Sequence, residues 1–224
     1  LDVAPRLDAF LAPDSPLLQS AAVHFMQWLF PPGSVSRIPI VAVTGTNGKT
    51  TTSRMIHRMF LDAGRASGLA CSDGVYVGDR LDCAGDLAGV PGHYRLFENP
   101  AVECAVLETA RGAIASMGIA YDECAVAVCL NVTPDHLDHC GIHSLEQMAR
   151  LKRTVLERAV EGVVLNADDP RCLAMAPGLR ARSVCLVSMQ RSLGELRASH
   201  VHCDHFALLE HADGEEWVVL YDQG

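Results

Sequence analysis

The stretch VAVTGTNGKTTT, residues 41–52, decides how this chain folds. It runs from an apolar segment, IPIVAV, through a turn of glycines and small residues into a helical pattern, the order strand, loop, helix. Small side chains leave the backbone N–H groups of such a loop free to point at phosphate oxygens, and the positive end of the following helix adds to the attraction. Gly45, Thr46, Asn47, Gly48, Lys49, Thr50 and Thr51 are therefore the candidate nucleotide-binding residues. Lys49 would reach the terminal phosphates, and the hydroxyl of Thr50 or Thr51 would face a magnesium ion. The loop is the short G-x-x-G-K-T form, with Val43 standing where longer phosphate loops carry a further glycine.

Outward from the loop, the strand-length runs SGLAC, VECAVLE, AVAVCLN and GVVLN alternate with helices expected after Gly48, Ser144 and Asp168. Alternation of this kind predicts an α/β fold of the P-loop type, a mostly parallel sheet with helices on both faces. From Ser183 on, SVCLV, HVHCDHFALLE and EEWVVLY read as strands, the last two joined at Asp213 and Gly214, so a small antiparallel extension is expected to close the chain. Ahead of the loop, Leu18, Ala22, Phe25 and Leu29 form one helical stripe, capped by Asp14 or Ser15 with Pro16 in the first turn and stopped by Pro31, Pro32 and Gly33. We expect residues 1–36 to be a helical lead-in and 37–224 one nucleotide-binding domain.

The 224 residues are 49% hydrophobic, enough for a sizeable core, and carry a net charge of -9. With 18 basic residues against 27 acidic ones, a nucleic-acid surface is excluded, and an anionic ligand needs local donors. No apolar run approaches the roughly 18 residues of a membrane span, and the first residues lack the order of a secretion signal, so a cytoplasmic address is expected. Nine cysteines occur without any C-x-x-C pair, several inside buried-strand runs, as expected of reduced structural thiols. Because the chain begins at Leu1, we expect it to be a piece of a longer chain or a processed product.

Glu108 ends VECAVLE and His136 follows AVAVCLN by a short turn, so both belong at carboxyl ends of parallel strands, the edge where ligands gather. With the Thr50 hydroxyl they form a candidate magnesium set, although a strand-end Glu is often merely solvated and a lone His is often a hydrogen-bonded core group. A zinc alternative lies in DHLDHCGIH, with His136, His139, Cys140 and His143. Neither it nor HVHCDH at residues 200–205 has a second ligand pair at structural-zinc spacing. In SLEQMARLKRTVLERA, Ser144 and Gln147 make a capping box, and Leu145, Met148, Val155, Leu156 and Ala159 make an apolar stripe with Lys152 near its middle. Lys152 either snorkels to the helix edge or has a function there. Arg111 in ETARG and Asp86 in AGDLAG are candidates beside a substrate, against a surface ion pair and a turn residue. Asn131 and Asp135 would orient His136, and Asn166, Asp168 and Asp169 would form a strand-end turn and helix cap within reach of a nucleotide.

The motifs LFPPGSVSRIPIVAVTGTNGKTTT, SDGVYVGDRLD, AGDLAG, AVLETARGAI, NVTPDHLD and LNADDP, from about Leu29 to Pro170, resemble the central, ATP-binding domain of the Mur ligase superfamily. Their order and spacing are most similar to the Mur-ligase-like region of cyanophycin synthetases. The resemblance implies an ATP-dependent acid–amino-acid ligase that turns a carboxylate into an acyl phosphate, which an amine attacks to give an amide, ADP and phosphate. It implies ATP and magnesium as cofactors, with arginine added to an aspartate side-chain carboxylate. Thr50, Glu108 and His136 would hold metal, Asn131 would belong to the nucleotide site, and Lys49, His136, Arg111 and Lys152 would be catalytic. Lys152 would be the carbamylated lysine that helps to hold a second magnesium. An amino-acid or peptide substrate is implied, with other domains of the same longer chain as partners, including a C-terminal ligase domain beyond Gly224; a homo-oligomer is compatible with all of this. Two stretches depart from the family pattern. RGAIASMGI has Ala113 for a second glycine and Ala115 and Ser116 for basic residues, and AGDLAG is followed by VPGHY where the pattern has Pro and then Ser. A nucleotide-binding module without ligase activity, or a polyglutamate or cell-wall ligase of the Mur type, are the alternatives.

Overall fold

A computed structural model describes residues 20–21, 23–25, 38–134, 141–199 and 201–222. The chain divides into two units, Leu1–Ile38 and Pro39–Gly224. In the first, Ser20, Ala21, Val23, His24 and Phe25 are helical. The expected caps Asp14 and Ser15, Pro16, the stripe positions Leu18, Ala22 and Leu29, and the stop at Pro31, Pro32 and Gly33 lie outside the described residues.

The second unit begins with β1 (Ile40–Thr44), α1 (Lys49–Asp62), β2 (Ser67–Cys71), β3 (Gly74–Val77) and β4 (Arg80–Ala84). It continues with α2 (Val90–Phe97), β5 (Cys104–Glu108), α3 (Arg111–Met117), β6 (Cys124–Cys129) and α4 (Leu145–Leu156). The last elements are β7 (Ala159–Asn166), α5 (Pro170–Leu173), β8 (Ser183–Ser188), α6 (Leu193–Ala198), β9 (His205–Ala212) and β10 (Glu215–Asp222). All ten strands join one sheet in the order β10-β9-β8-β7-β6-β1-β5-β2-β3-β4. From β2 across the centre to β7 the pairings are parallel, as expected, and β8 and β9, expected in the antiparallel extension, continue the parallel sheet. The expected hairpin at Asp213 and Gly214 is the antiparallel β9–β10 pair. The antiparallel part is confined to that pair at this end, because β8 runs parallel to β7 and β9 parallel to β8. A second antiparallel edge, β2–β3–β4, was not expected from the sequence.

Alternation along the strands sorts side chains onto two faces. Val43, Val106 and Val128 form a buried cluster with Leu69 and Cys71, against which Ile56 and Phe60 of α1 pack. Cys129, one residue on, turns to the other face, where its sulfur lies 3.5 Å from that of Cys172 on α5. Both faces are thus covered. α4 starts where the capping box predicts: Ser144 Oγ accepts from the Gln147 N–H, and Gln147 Oε1 accepts from the Ser144 N–H, each at 3.2 Å.

β1 is the topological switch point, since the chain goes from it to β2 and β5 on one side and to β6 on the other. At such a point the loops leaving the carboxyl ends of the strands diverge and open a crevice. The loops after β1, β5 and β6 all start there.

The departure at Ala113 has a steric partner. The Ala110 N–H donates to the Ala88 carbonyl at 3.0 Å, drawing the start of α3 against the lead-in to α2. A Cβ placed on Gly89 would stand 2.4 Å from Ala113 Cβ. The alanine methyl therefore occupies the space that a side chain at position 89 would need. Gly89→Ala should cost about 1–3 kcal/mol by overpacking. Ala113→Gly added to it should recover much of that loss, so the urea-unfolding free energies of the two single variants and the double variant will be non-additive. Additive values would show that the two positions do not meet.

Candidate active site

The loop after β1 is shaped by one side chain from across the crevice. Asn131, just beyond β6, accepts through Oδ1 from the N–H groups of Thr46 and Asn47 at 2.9 and 2.8 Å, and its Nδ2 donates to the Asn47 carbonyl at 3.1 Å. The Thr133 N–H adds a bond to Thr46 Oγ1 at 3.1 Å. Asn131 therefore holds this loop in shape. Gly48, at φ 84°, occupies the left-handed region that glycine tolerates best and opens α1 without a side-chain cap. Lys49 Nζ donates to the Thr46 carbonyl at 2.8 Å and lies 4.0 Å from Glu108 Oε1.

Glu108 ends a strand whose five residues are all buried, and is itself 2% exposed. Burying a carboxylate is costly unless it is paired and hydrogen-bonded. Thr50 Oγ1 donates to Glu108 Oε2 at 2.9 Å, Ser72 Oγ lies 2.9 Å from the same Thr50 oxygen, and the Ser72 N–H donates to Oε2 at 3.1 Å. The strand end is stitched further by Thr44, whose hydroxyl donates to the Thr109 carbonyl at 3.0 Å. His93 of α2 lies inside the fold with Nε2 2.9 Å from the Glu108 carbonyl oxygen, and burial pushes its pKa down to about 4. That ring is neutral at ordinary pH, and because its partner is a carbonyl, Nε2 carries the proton.

Lys152 does not snorkel. It is 1% exposed, and burial, reinforced by repulsion from Lys49 and Arg111 and opposed by the Cys129 and Cys172 thiols, lowers its pKa to about 8. A cavity of about 170 Å³ is lined by Gly45, Thr46, Lys49, Arg111, Met148 and Lys152. Three cationic side chains from three elements thus meet one small space at the loop's mouth. A second cavity, of about 330 Å³, begins at Asn47 and Gly48 and has Val128, Val164 and Val187 as its apolar lining, with Asn166 and Asp168 as polar groups.

The sequence-derived residues Gly45, Thr46, Asn47, Gly48, Lys49, Thr50, Glu108, Arg111, Asn131 and Lys152 are brought together. Thr51 is exposed on α1, and Thr50 is the hydroxyl that meets Glu108. His136 and Asp135 lie outside the described residues, as do His139, Cys140 and His200 of the zinc alternatives. Among the described residues no group of three or more His, Cys, Asp or Glu could hold a metal ion. Glu108, Thr50 and Ser72 are hard oxygen donors and suit magnesium, which takes one or two protein oxygens together with phosphate and water. Asp86 accepts from the Ala88 N–H at 3.4 Å and so acts in a turn. Asp169 caps α5 and also accepts from the Val132 N–H at 2.6 Å. Asn166 holds the Leu130 carbonyl at 2.8 Å, and Asp168 accepts from the Met189 N–H at 2.8 Å. Ser72, Thr109 and His93 escaped the sequence reading. Only the position of Ser72, directly after the run SGLAC, carried a signal.

A phosphate-type loop at the switch point of a doubly covered parallel sheet, with a buried carboxylate and converging cations, defines a nucleotide-binding α/β domain. The Mur ligase middle domain profile matches residues 43–216, and the chain belongs to that family. It is 42% identical over 209 residues to the cyanophycin synthetase of Crocosphaera subtropica, covering 92% of this chain and 24% of that protein. It is 34% identical over 160 residues to the UDP-N-acetylmuramoylalanine–D-glutamate ligase of Pelotomaculum thermopropionicum, covering 71% of this chain and 31% of that protein. Among solved structures, UDP-N-acetylmuramoyl-L-alanyl-D-glutamate–2,6-diaminopimelate ligase superposes with a TM-score of 0.61 at 20% identity, over 89% of this chain and 40% of that one. This chain spans about a quarter of the length of the cyanophycin synthetase relatives it matches. Among the described residues no helix is long and apolar enough to cross a membrane.

The buried lysine links stability to pH with a definite sign. Between about pH 8 and the unfolded value of 10.5, the unfolded chain still holds a proton that the folded one has lost, so stability rises with pH across that window. In carbon-dioxide-free buffer, the unfolding free energy of the wild type relative to Lys152→Met should rise by about 1–3 kcal/mol over this range. Urea unfolding at several pH values checks it, and a flat difference would contradict the lowered pKa.

Proposed function

We propose that this chain is the ATP-binding central domain of an amide ligase resembling cyanophycin synthetase, which joins arginine to an aspartate side-chain carboxylate. The observation that carries this reading is the convergence of Lys49, Arg111 and Lys152 on one cavity beside the buried Glu108. When bound, ATP would supply a phosphoryl group that activates the carboxylate, leaving ADP, and phosphate would leave as the amine forms the amide. In this site the protein's task is alignment and charge neutralisation. Lys49 and Arg111 offset the negative charge that gathers between the terminal phosphate and the carboxylate, and they act more strongly in a small protein-walled cavity than in bulk water. The apolar lining of the larger cavity suits the adenine, with Asn166 and Asp168 as polar partners.

Glu108 and Thr50, with His136 from outside the described residues, would hold magnesium, which would help to offset phosphate charge. Lys152 has the reactivity that carbamylation needs: only the neutral amine adds carbon dioxide, giving a carbamate and releasing one proton, and burial makes that neutral form available near pH 8. The carbamate would exchange a cation for an anionic oxygen donor to a second magnesium. Residues 1–36 would be the lead-in and 37–224 the central domain. The longer protein would add a C-terminal domain that completes the nucleotide and amine sites. The eight described cysteines are free thiols, which supports a cytoplasmic address. A second reading, a nucleotide-binding module without ligase chemistry, is favoured only by Ala113, Ala115 and Ser116 standing in place of the family pattern.

Calorimetric titration with ATP and magnesium tests the site. The wild type should bind, and Lys49→Ala should bind about 10- to 100-fold more weakly through the loss of charge-assisted hydrogen bonds to phosphate. Equal binding by both would overturn the site. With the natural full-length protein, phosphate release that requires both an aspartate-backbone primer and arginine supports the ligase; nucleotide binding without release for any amino acid favours the second reading.

A further inference from the structure

The β2–β5 ladder stops one bond early, and the missing bond is replaced in an unusual way. These strands pair in parallel with Ala70 opposite Leu107. One step further in the same register, the Ser72 N–H is the donor that would meet the Glu108 carbonyl oxygen. It donates instead to the Glu108 carboxylate, at 3.1 Å from Oε2. The carbonyl, in a residue 2% exposed, would be left as a buried orphan at a cost that native structures avoid. His93 supplies the substitute donor: its Nε2 lies 2.9 Å from that oxygen.

The remainder of the His93 ring is poorly served. It is 1% exposed, and Nδ1 has no hydrogen-bond partner. An apolar side chain would avoid that unsatisfied nitrogen, so the donor at Nε2 is the property for which a histidine suits this position.

We propose that His93 is a positioning residue for Glu108: by taking over the Glu108 carbonyl, it releases the Ser72 N–H to hold the carboxylate in the orientation that faces Lys49 and the metal side of the site. The inference rests on the reading of Glu108 as a magnesium ligand for its functional half, while the exchange of hydrogen-bond partners stands on the geometry alone. Without the imidazole donor, one N–H would be asked to serve both the carbonyl and the carboxylate.

Two variants separate the donor from the bulk of the ring. His93→Gln keeps an N–H donor of similar reach, and His93→Met fills space without one. In the wild type, NMR should detect coupling across the hydrogen bond from Ser72 N to the Glu108 carboxylate carbon; coupling to the carbonyl carbon would overturn the proposal without any variant. In His93→Met the Ser72 amide resonance should shift, and titration with the manganese complex of a non-hydrolysable ATP analogue should show affinity reduced about 10-fold, as for other residues that orient metal ligands. His93→Gln should restore both. Equal affinity in the two variants, or an unmoved Ser72 resonance in His93→Met, would overturn the proposal. Glu108→Gln is the control for the underlying reading. If it leaves manganese binding intact, the magnesium role of Glu108 fails, and the Ser72 resonance still decides whether His93 directs that amide.

Discussion

A carboxylate kept out of water at the end of a central strand is the constraint on which this site depends. Glu108 is nearly inaccessible, yet it is matched by one ammonium at 4.0 Å and two neutral donors rather than by a tight ion pair. Burying a carboxylate is costly unless such donors stay in place, so their geometry is fixed by the energy of burial itself. Thr50 ties the first turn of α1 to β5, Ser72 ties in the turn after β2, and Lys49 brings the loop. Three elements that meet at the switch point of the sheet are thereby registered to one another through a single side chain. Oε2 takes both neutral hydrogen bonds, which directs the charge of Oε1 toward Lys49.

Opposite this anion the fold collects cations that repel one another. Lys49 follows β1, Arg111 opens α3 and Lys152 projects from α4, and the proximity of the first two helps to lower the pKa of the third. Like charges held around a small cavity are unfavourable until an anion enters, and the fold supports them through its core packing elsewhere. The same concentration of positive charge would favour an anion entering the cavity, in an arrangement that costs stability while no anion is there. Asn131 contributes differently: it is neutral, and by binding the loop backbone at three points it fixes where the loop's remaining N–H groups can point.

Much of this was legible because it is local. The loop residues, the capping box at Ser144 and Gln147, and Glu108 at the end of an apolar run each follow from a few consecutive residues. Lys152 was conspicuous as a charge on an apolar stripe, though only the structure shows that it is buried rather than snorkelling. Features that depend on distant pairing were not legible. Apolar runs do not reveal strand direction, and SVCLV and the strand after it continue the parallel sheet instead of joining the antiparallel end. SDGVYVGDRLD does not read as a strand pair from its sequence, because β3 and β4 are only four and five residues long. Ser72 and His93 acquire their roles from the register of β2 against β5, which no single stretch of sequence contains.

Two contacts tie the segments around α2 and α3 to their surroundings. Ala113 covers Gly89, and His93 reaches from α2 to the strand end that leads into α3. Meanwhile Ala115, Ser116 and Met117 are exposed on α3, and Ser116 spends its hydroxyl on the Gly112 carbonyl of its own helix at 2.7 Å. From Gly112 to Gly118 this segment carries no cation, so it exerts no long-range pull on an acidic chain. The hydrogen bonds that hold Lys49, Thr50 and the Glu108 carboxylate do not pass through this exposed face of α3, while Arg111 at the start of α3 lines the same small cavity and His93 of α2 holds the Glu108 carbonyl. The exposed face of α3 can therefore change its charge without disturbing the hydrogen bonds that hold the Glu108 carboxylate.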